Sequence, residues 1–133
     1  MASGIYNRFK ANLMNKEVDL EGDTIKVALM NNSHSFSATD NEFSNANEIS
    51  GTEYTAGGAT LANKSVTQAA TTKWDADDVE WTSATFSAWH AVIYDDTLAN
   101  DDLIASIDFG GEQEVTDATF KIEWHTDGII TLA

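Results

Sequence analysis

The chain contains no cysteine and no proline, and each absence narrows its possible structures and functions. Without cysteine there is no disulfide framework, no thiolate nucleophile and no cysteine-based metal site. Without proline, every turn must be made by glycine, asparagine, aspartate or serine. Hydrophobic side chains make up 42% of the 133 residues. This composition predicts a single domain over residues 1–133 with one buried core.

Positive charge is also scarce, since 7 Lys and Arg stand against 22 Asp and Glu and give a formal net charge of -15. Nucleic-acid binding needs clustered Lys and Arg, so this balance excludes it. An anionic membrane surface is excluded for the same reason. No run approaches the ~20 apolar residues of a spanning helix, and residues 1–10 lack the apolar core of a signal peptide. We therefore expect a soluble protein made in the cytoplasm.

The N-terminal segment has the spacing of an amphipathic helix. Ile5, Phe9 and Leu13 recur every four residues, and Ser3 is a suitable N-cap. The pattern predicts a helix over residues 3–18. A helix packed over the edge or open end of a sheet is the simpler interpretation, and an arm that docks on a partner is the alternative.

Residues 31–58 form a long polar stretch with little periodicity. It still carries apolar side chains at regular spacing, at Phe36, Phe43, Ile49 and Tyr54. The sequence predicts an irregular loop pinned to a surface by these four side chains. That surface belongs either to the same domain or to a neighbouring molecule.

The rest of the chain has the alternation of β-strands. Thr24–Met30 alternates cleanly, and further alternating runs recur about every dozen residues through a main β body at 59–133. Leu61 and Val66 are placed in one strand, and Asp127-Gly128 is the strongest hairpin signal. We expect an all-β fold, an antiparallel β-sandwich or barrel-like domain of about seven or eight strands.

The run Phe86 to Tyr94 is apolar on both faces, which is typical of a central strand. Strict alternation places Phe86, Ala88 and His90 on one face, together with Val92 and Tyr94. His90 is thus interpreted as a core histidine. His34 and His125 show no metal-ligand spacing to it or to each other, and His125 is expected to be solvated.

Two acidic clusters were weighed as calcium sites, because calcium takes six to eight oxygen ligands. Neither has the alternating acids, central glycine and terminal glutamate of a calcium loop. Solvated turns are the simpler interpretation, so no metal is assigned. The weak calcium candidates are Asp75, Asp77, Asp78, Asp95 and Asp96.

Motifs of catalysis are missing from the sequence. There is no phosphate-binding glycine loop and no Gly-x-Ser-x-Gly nucleophile motif. Four tryptophans are candidates for a sugar-stacking platform, although a place in the core is the commoner role for such residues. They are Trp74, Trp81, Trp89 and Trp124. We expect neither an enzyme nor a cofactor.

Several phrases of the sequence, in this order, resemble those of small virion structural proteins of tailed bacteriophages. The resemblance covers nearly the whole chain, and its motifs are structural, so no catalytic residue is carried over. The phrases are Ile5–Lys10, Val18–Leu20, Asp23–Leu29, Glu48–Gly58, Ala91–Asp96 and Leu103–Gly110.

The resemblance implies a non-enzymatic part of the virion. The first expectation is a head decoration or cement protein on the capsid exterior, bound to the major capsid protein and homo-oligomeric, with a trimer favoured. The alternatives are a tail or head-to-tail component and, in another class, a carbohydrate-binding sandwich. Aromatic and aliphatic anchors dominate interface energy, so the candidate interface residues are Tyr6, Phe9, Phe36, Phe43, Ile49 and Tyr54.

Overall fold

The structure, a computed structural model, describes residues 3–133 and has an all-β antiparallel architecture with one short helix. A single 3₁₀ turn lies at Asn45–Asn47 within the long loop. In chain order the elements are β1 (Gly4–Ile5), α1 (Asn7–Met14), β2 (Ile25–Met30), β3 (Ala59–Thr60), β4 (Ser65–Thr67), β5 (Thr72–Asp75), β6 (Val79–Asp95), β7 (Asp102–Ile122) and β8 (Ile130–Leu132).

Two antiparallel sheets form a β-sandwich, which confirms the predicted fold class. The larger sheet has the strand order β1-β7-β6-β2-β3, and the smaller has the order β4-β5-β8. Trp74 of β5 lies in the same buried cluster as Val27 of β2 and Trp81 of β6, so the main core lies between the sheets. β2 is an internal strand of the larger sheet, although it precedes the 59–133 body that the sequence predicted.

The long hairpin β6–β7 is the central element of the fold. Its pairing runs from Val79 opposite Ile122 to Asp95 opposite Asp102. The run Phe86 to Tyr94, which the sequence predicted as a central strand, is the second half of β6. The strands are continuous because β-bulges absorb the breaks in alternation. The largest bulge lies between the pairs Ala88–Gln113 and His90–Asp108. Between these pairs β6 moves by two residues (90 - 88) and β7 by five (113 - 108).

That bulge changes the direction of the following side chains. Phe86 and Ala88 lie in the same core cluster as Ile93, whereas Val92 and Tyr94 lie in a second cluster. The prediction that Phe86 and Tyr94 share a face is therefore wrong. The side chains of a strand normally alternate between its two faces. The irregularity between residues 88 and 90 interrupts this alternation, so that even-numbered residues before it and odd-numbered residues after it share one face.

The helix is shorter than predicted, at Asn7–Met14 rather than residues 3–18. Residues 4–5 instead pair with β7 as an edge strand. The N-cap position is Tyr6, which makes no side-chain cap, so the assignment of Ser3 as N-cap is wrong. The Ser3 hydroxyl accepts the backbone N–H of Asp108, 2.9 Å away. The helix packs against β7, as the simpler of the two interpretations had it.

Two further strand predictions are corrected. Leu61 follows β3 of the larger sheet while Val66 lies in β4 of the smaller one, so they do not share a strand. Asp127-Gly128 lies in a turn, but β8 after it pairs with β5 and not with the preceding strand. The pairing begins where Ile129 donates its N–H to the Trp74 carbonyl, 2.7 Å away. Within residues 3–133, α1 is too short to cross a bilayer, and no other helix has the needed length and apolar character.

Candidate functional site

The two interface candidates of the N-terminal segment are internal to the fold. Tyr6 is 1% exposed and Phe9 is 3% exposed. Tyr6 packs edge-on against Phe36, with ring centroids 4.9 Å apart. Because so little of either side chain is exposed, neither projects from the surface, and the assignment of Tyr6 and Phe9 as interface anchors is corrected.

The loop 31–58 is fastened to its own domain, which answers the question the sequence left open. Phe43 stacks on Tyr94 with ring centroids 4.2 Å apart. Tyr54 accepts the backbone N–H of Leu29 at 3.0 Å and donates its hydroxyl proton to Glu48. Burial, and secondarily this bond to Glu48, raises the pKa of Tyr54. Ile49 packs against the main core, so Phe36, Phe43, Ile49 and Tyr54 serve as internal pins.

Replacing Phe43 by alanine is expected to destabilise the isolated protein by about 1–3 kcal/mol. The side chain is half-buried, so the loss is smaller than the ~3–5 kcal/mol typical of a fully buried Phe, and it includes the stack on Tyr94. Urea unfolding of the purified chain measures it. The matched variant Phe43→Leu keeps apolar volume and should lose about 1 kcal/mol. If Phe43→Ala is as stable as the wild type, Phe43 does not pin the loop and becomes an interface candidate again.

A polar cluster beneath the loop was missed by the sequence analysis. His34 Nε2 lies 3.0 Å from Ser106 Oγ, and the His34 and His90 rings are 5.0 Å apart. His90 Nδ1 lies 3.8 Å from Asp108 Oδ1. Burial lowers the pKa of both histidines. His34 and His90 are 56 positions apart (90 - 34), and only the docking of the loop on the sheet brings them together.

This cluster contains serine, histidine and aspartate, which are the residue types of a hydrolase site, but a substrate cannot reach the serine. Ser106 is 2% exposed, and its hydroxyl is occupied by His34 and by Tyr6. A serine nucleophile needs an open position beside it for the substrate carbonyl and for oxyanion donors. The cluster instead satisfies buried polar groups where the loop crosses the sheet. His90 is buried and His125 is exposed, as the sequence predicted.

The aspartates that the sequence offered as calcium candidates accept hydrogen bonds from groups of the protein, and their partners differ. Asp77 accepts from Asn63, and Asp78 accepts from the Trp124 backbone and pairs with Lys121. Asp75 accepts the N–H of Ala76. Across residues 3–133, no three histidine or acidic side chains come together in a group able to hold a metal ion.

Asp95 and Asp96 have opposite environments although they are adjacent. Asp96 is a surface residue paired with Lys26 at 3.5 Å. Asp95 is fully buried; its Oδ1 accepts the Thr97 N–H at 3.0 Å, and its Oδ2 receives no hydrogen bond. Burial, together with the adjacent Asp23 carboxyl, raises the pKa of Asp95 to about 7. This is a carboxyl pair that holds one proton more readily than two charges.

The tryptophans do not form an exposed platform for sugars. Trp74 and Trp81 are 3% and 6% exposed, and both belong to the main core. Trp89 and Trp124 are half-buried. The Trp124 indole N–H donates to the Asp77 carbonyl, which fixes the ring against its own chain.

A groove between α1 and the smaller sheet gathers the exposed apolar side chains. Within residues 3–133 four large apolar residues are substantially exposed: Leu13, Met14, Val66 and Leu132 at 40%, 88%, 44% and 64%. All four line this one groove, which encloses about 960 Å³ and which we call the α1 groove. Its floor includes Phe9 and Trp74.

The α1 groove exists because the sandwich is unfinished at this end. Val66, Trp74 and Ile130 are cross-strand neighbours and form one row across the smaller sheet. Trp74 on the central strand is buried in the core, whereas Val66 and Leu132 on the outer strands β4 and β8 remain exposed. The exposed apolar surface of the described chain is concentrated in this groove.

The charges at the α1 groove are balanced, unlike those of the whole chain. Three lysines and three acidic residues line it, namely Lys10, Lys16, Lys73, Glu17, Asp19 and Asp23. Lys26 and Lys121 form ion pairs elsewhere, whereas in the described chain none of the three groove lysines lies within 4 Å of a carboxylate oxygen. The groove is thus lined by apolar side chains together with equal numbers of positive and negative side chains.

No protein-family model, no curated protein and no solved structure matches this chain.

Proposed function

We propose that this chain is a non-enzymatic structural protein of a tailed-bacteriophage virion, bound as a decoration protein to the exterior of the capsid. The observation that supports a role in protein assembly is the α1 groove, which gathers every substantially exposed large apolar side chain of residues 3–133. The virion context comes from the resemblance of the sequence phrases described above.

A binding role accounts for the concave surfaces better than catalysis does. Two other cavities have volumes of about 620 and 230 Å³. In the larger, Lys121 is held by Asp78 and Glu123, each 3.6 Å away. In the smaller, His34 is committed to buried Ser106. Neither arrangement pairs a reachable nucleophile with a base and oxyanion donors.

The acidic surface supports a place outside the shell. A chain with a formal charge of -15 is repelled by packaged DNA, whose phosphates carry the same sign. On the exterior, many copies bound to the major capsid protein stabilise the assembled state by their preference for it over free subunits. Multivalency allows each individual contact to be weak.

Particles that contain the chain should survive heating better than particles that lack it. Purified particles from wild-type phage and from a deletion strain would be heated in parallel, and DNA release would be followed by dye fluorescence. We expect release at lower temperature without the protein, and recovery when purified protein is added back. Equal release from both particles would contradict a decoration role, and a few copies confined to one vertex would favour the tail alternative.

A further inference from the structure

We propose that the α1 groove is occupied by a second copy of this chain, in a two-fold symmetric dimer in which Met14 of each copy enters the groove of the other. This inference rests on the shape and charge of the groove, and it holds whether or not the chain belongs to a virion. It differs from the trimer that the resemblance favoured.

The groove and the residue that fills it belong to the same surface. Met14 is the last residue of α1 and lies at the groove with 88% of its surface exposed, the largest value among the four exposed apolar residues. In a two-fold interface one patch contacts itself, so a single patch must supply both the projection and the recess. Met14 beside the α1 groove meets this requirement. Methionine suits the role because its flexible thioether adapts to irregular recesses.

The charges at the rim are also self-complementary. In the proposed two-fold pairing, lysines of one copy meet acids of the other, with Lys10 and Lys16 as the candidate cations and Glu17 and Asp19 as the candidate anions. Within the described chain the three groove lysines make no ion pair of their own, and Lys10 and Lys73 donate only to the neutral oxygens of Asn7 and Thr126. The lining carries equal numbers of both signs while the chain carries -15 in total. Two copies that meet at this face therefore bring no excess of one sign into the contact.

The surface fits a weak dimer and is smaller than a standard interface, which buries roughly 800 Å² per partner. Several of the 18 lining residues, Phe9 and Trp74 among them, are buried within their own chain. Closing the groove covers Leu13, Met14, Val66 and Leu132 together. No other face of the described chain offers a comparable set of exposed apolar residues.

Sedimentation equilibrium of the purified chain at about 0.15 M salt tests this inference, since the Debye length there is about 8 Å and the general repulsion between copies is screened. We expect a monomer–dimer equilibrium. Met14→Lys should weaken association at least ~10-fold, because each dimer loses two apolar insertions and gains two buried ammonium groups. Since Met14 is exposed in the monomer, circular dichroism and the monomer melting temperature should not change.

Ala11→Lys is the matched control, because Ala11 is exposed on the same helix and does not line the groove. Both variants reduce the net negative charge by one, so general repulsion weakens equally in the two. A dimer that survives Ala11→Lys and is lost in Met14→Lys supports the inference. A monomer at all concentrations, a trimer, or a dimer insensitive to Met14→Lys would overturn it. Particle binding by a monomeric wild-type chain would overturn the dimer and leave the virion role intact.

Discussion

Replacing Gly58 by alanine is expected to destabilise the protein by about 4 kcal/mol or more, an exceptional size for one substitution. Gly58 has a φ of +86° and immediately precedes β3 where that strand pairs with β2. A methyl group here would overlap the Val27 carbonyl oxygen and lie 2.7 Å from the Ala28 Cα. Backbone atoms cannot turn aside as a side chain can, so the strand pairing must open.

Gly57 provides the matched control, because it is adjacent and also has a positive φ, of +96°. The nearest atom to a methyl group at Gly57 is the Tyr94 hydroxyl oxygen at 3.4 Å, an ordinary contact. Gly57→Ala should therefore lose only about 1–2 kcal/mol, the strain of a left-handed alanine. Urea unfolding of both variants measures the difference. Similar losses in the two would show that the close approach of Gly58 to β2 is not a constraint.

Replacing Asp95 by asparagine is expected to stabilise the protein at pH 8 by roughly 2–4 kcal/mol. The folded-state pKa of Asp95 is raised to about 7, from an ordinary value of 3.8. The folded state thus holds this proton more tightly than the unfolded state does. The stability it contributes is complete below about pH 4 and is lost as the pH rises through 7.

The asparagine can keep the native bonds without the charge. Its Oδ1 accepts the Thr97 N–H as the aspartate does, and its amide can donate to the Asp23 carboxylate. The gain should shrink between pH 8 and pH 4.5, as protonation neutralises the wild-type Asp95. His34 and His90, whose lowered pKa values make the fold less stable toward acid, are present in both proteins and cancel in the difference.

Asp96→Asn is the control for this experiment, because Asp96 is a surface residue whose ion pair with Lys26 is partly exposed. Its loss should change stability by less than about 1 kcal/mol at either pH. Thermal melts of the three proteins at pH 4.5 and pH 8 are sufficient. If Asp95→Asn is less stable than the wild type at pH 8, Asp95 is a favourable charge and the environment assigned to it here is wrong.

The sequence was informative where local periodicity determines structure. β2 was predicted within one residue, since Ile25, Val27 and Leu29 alternate cleanly and all are fully buried. The prediction failed within β6, where a bulge beside Ala88 shifts the alternation without any residue that marks it. The helix was predicted too long because Ile5 fits a helical spacing and an edge strand equally well.

The candidate site was less predictable than the fold. An aromatic residue in a polar loop can pin the loop to its own core or bind a partner, and sequence spacing is the same in both cases. Phe43 is an internal pin because Tyr94 lies opposite it, which depends on the fold of residues far apart in the chain. Met14 and Leu132 fitted ordinary apolar patterns, and only the unfinished end of the sandwich leaves them exposed.

Electron cryo-microscopy of the intact particle tests the proposed role most directly. The account predicts density for this β-sandwich in many copies on the outer capsid surface, in contact with the major capsid protein. Density at a single vertex, inside the shell or nowhere on the particle would contradict it.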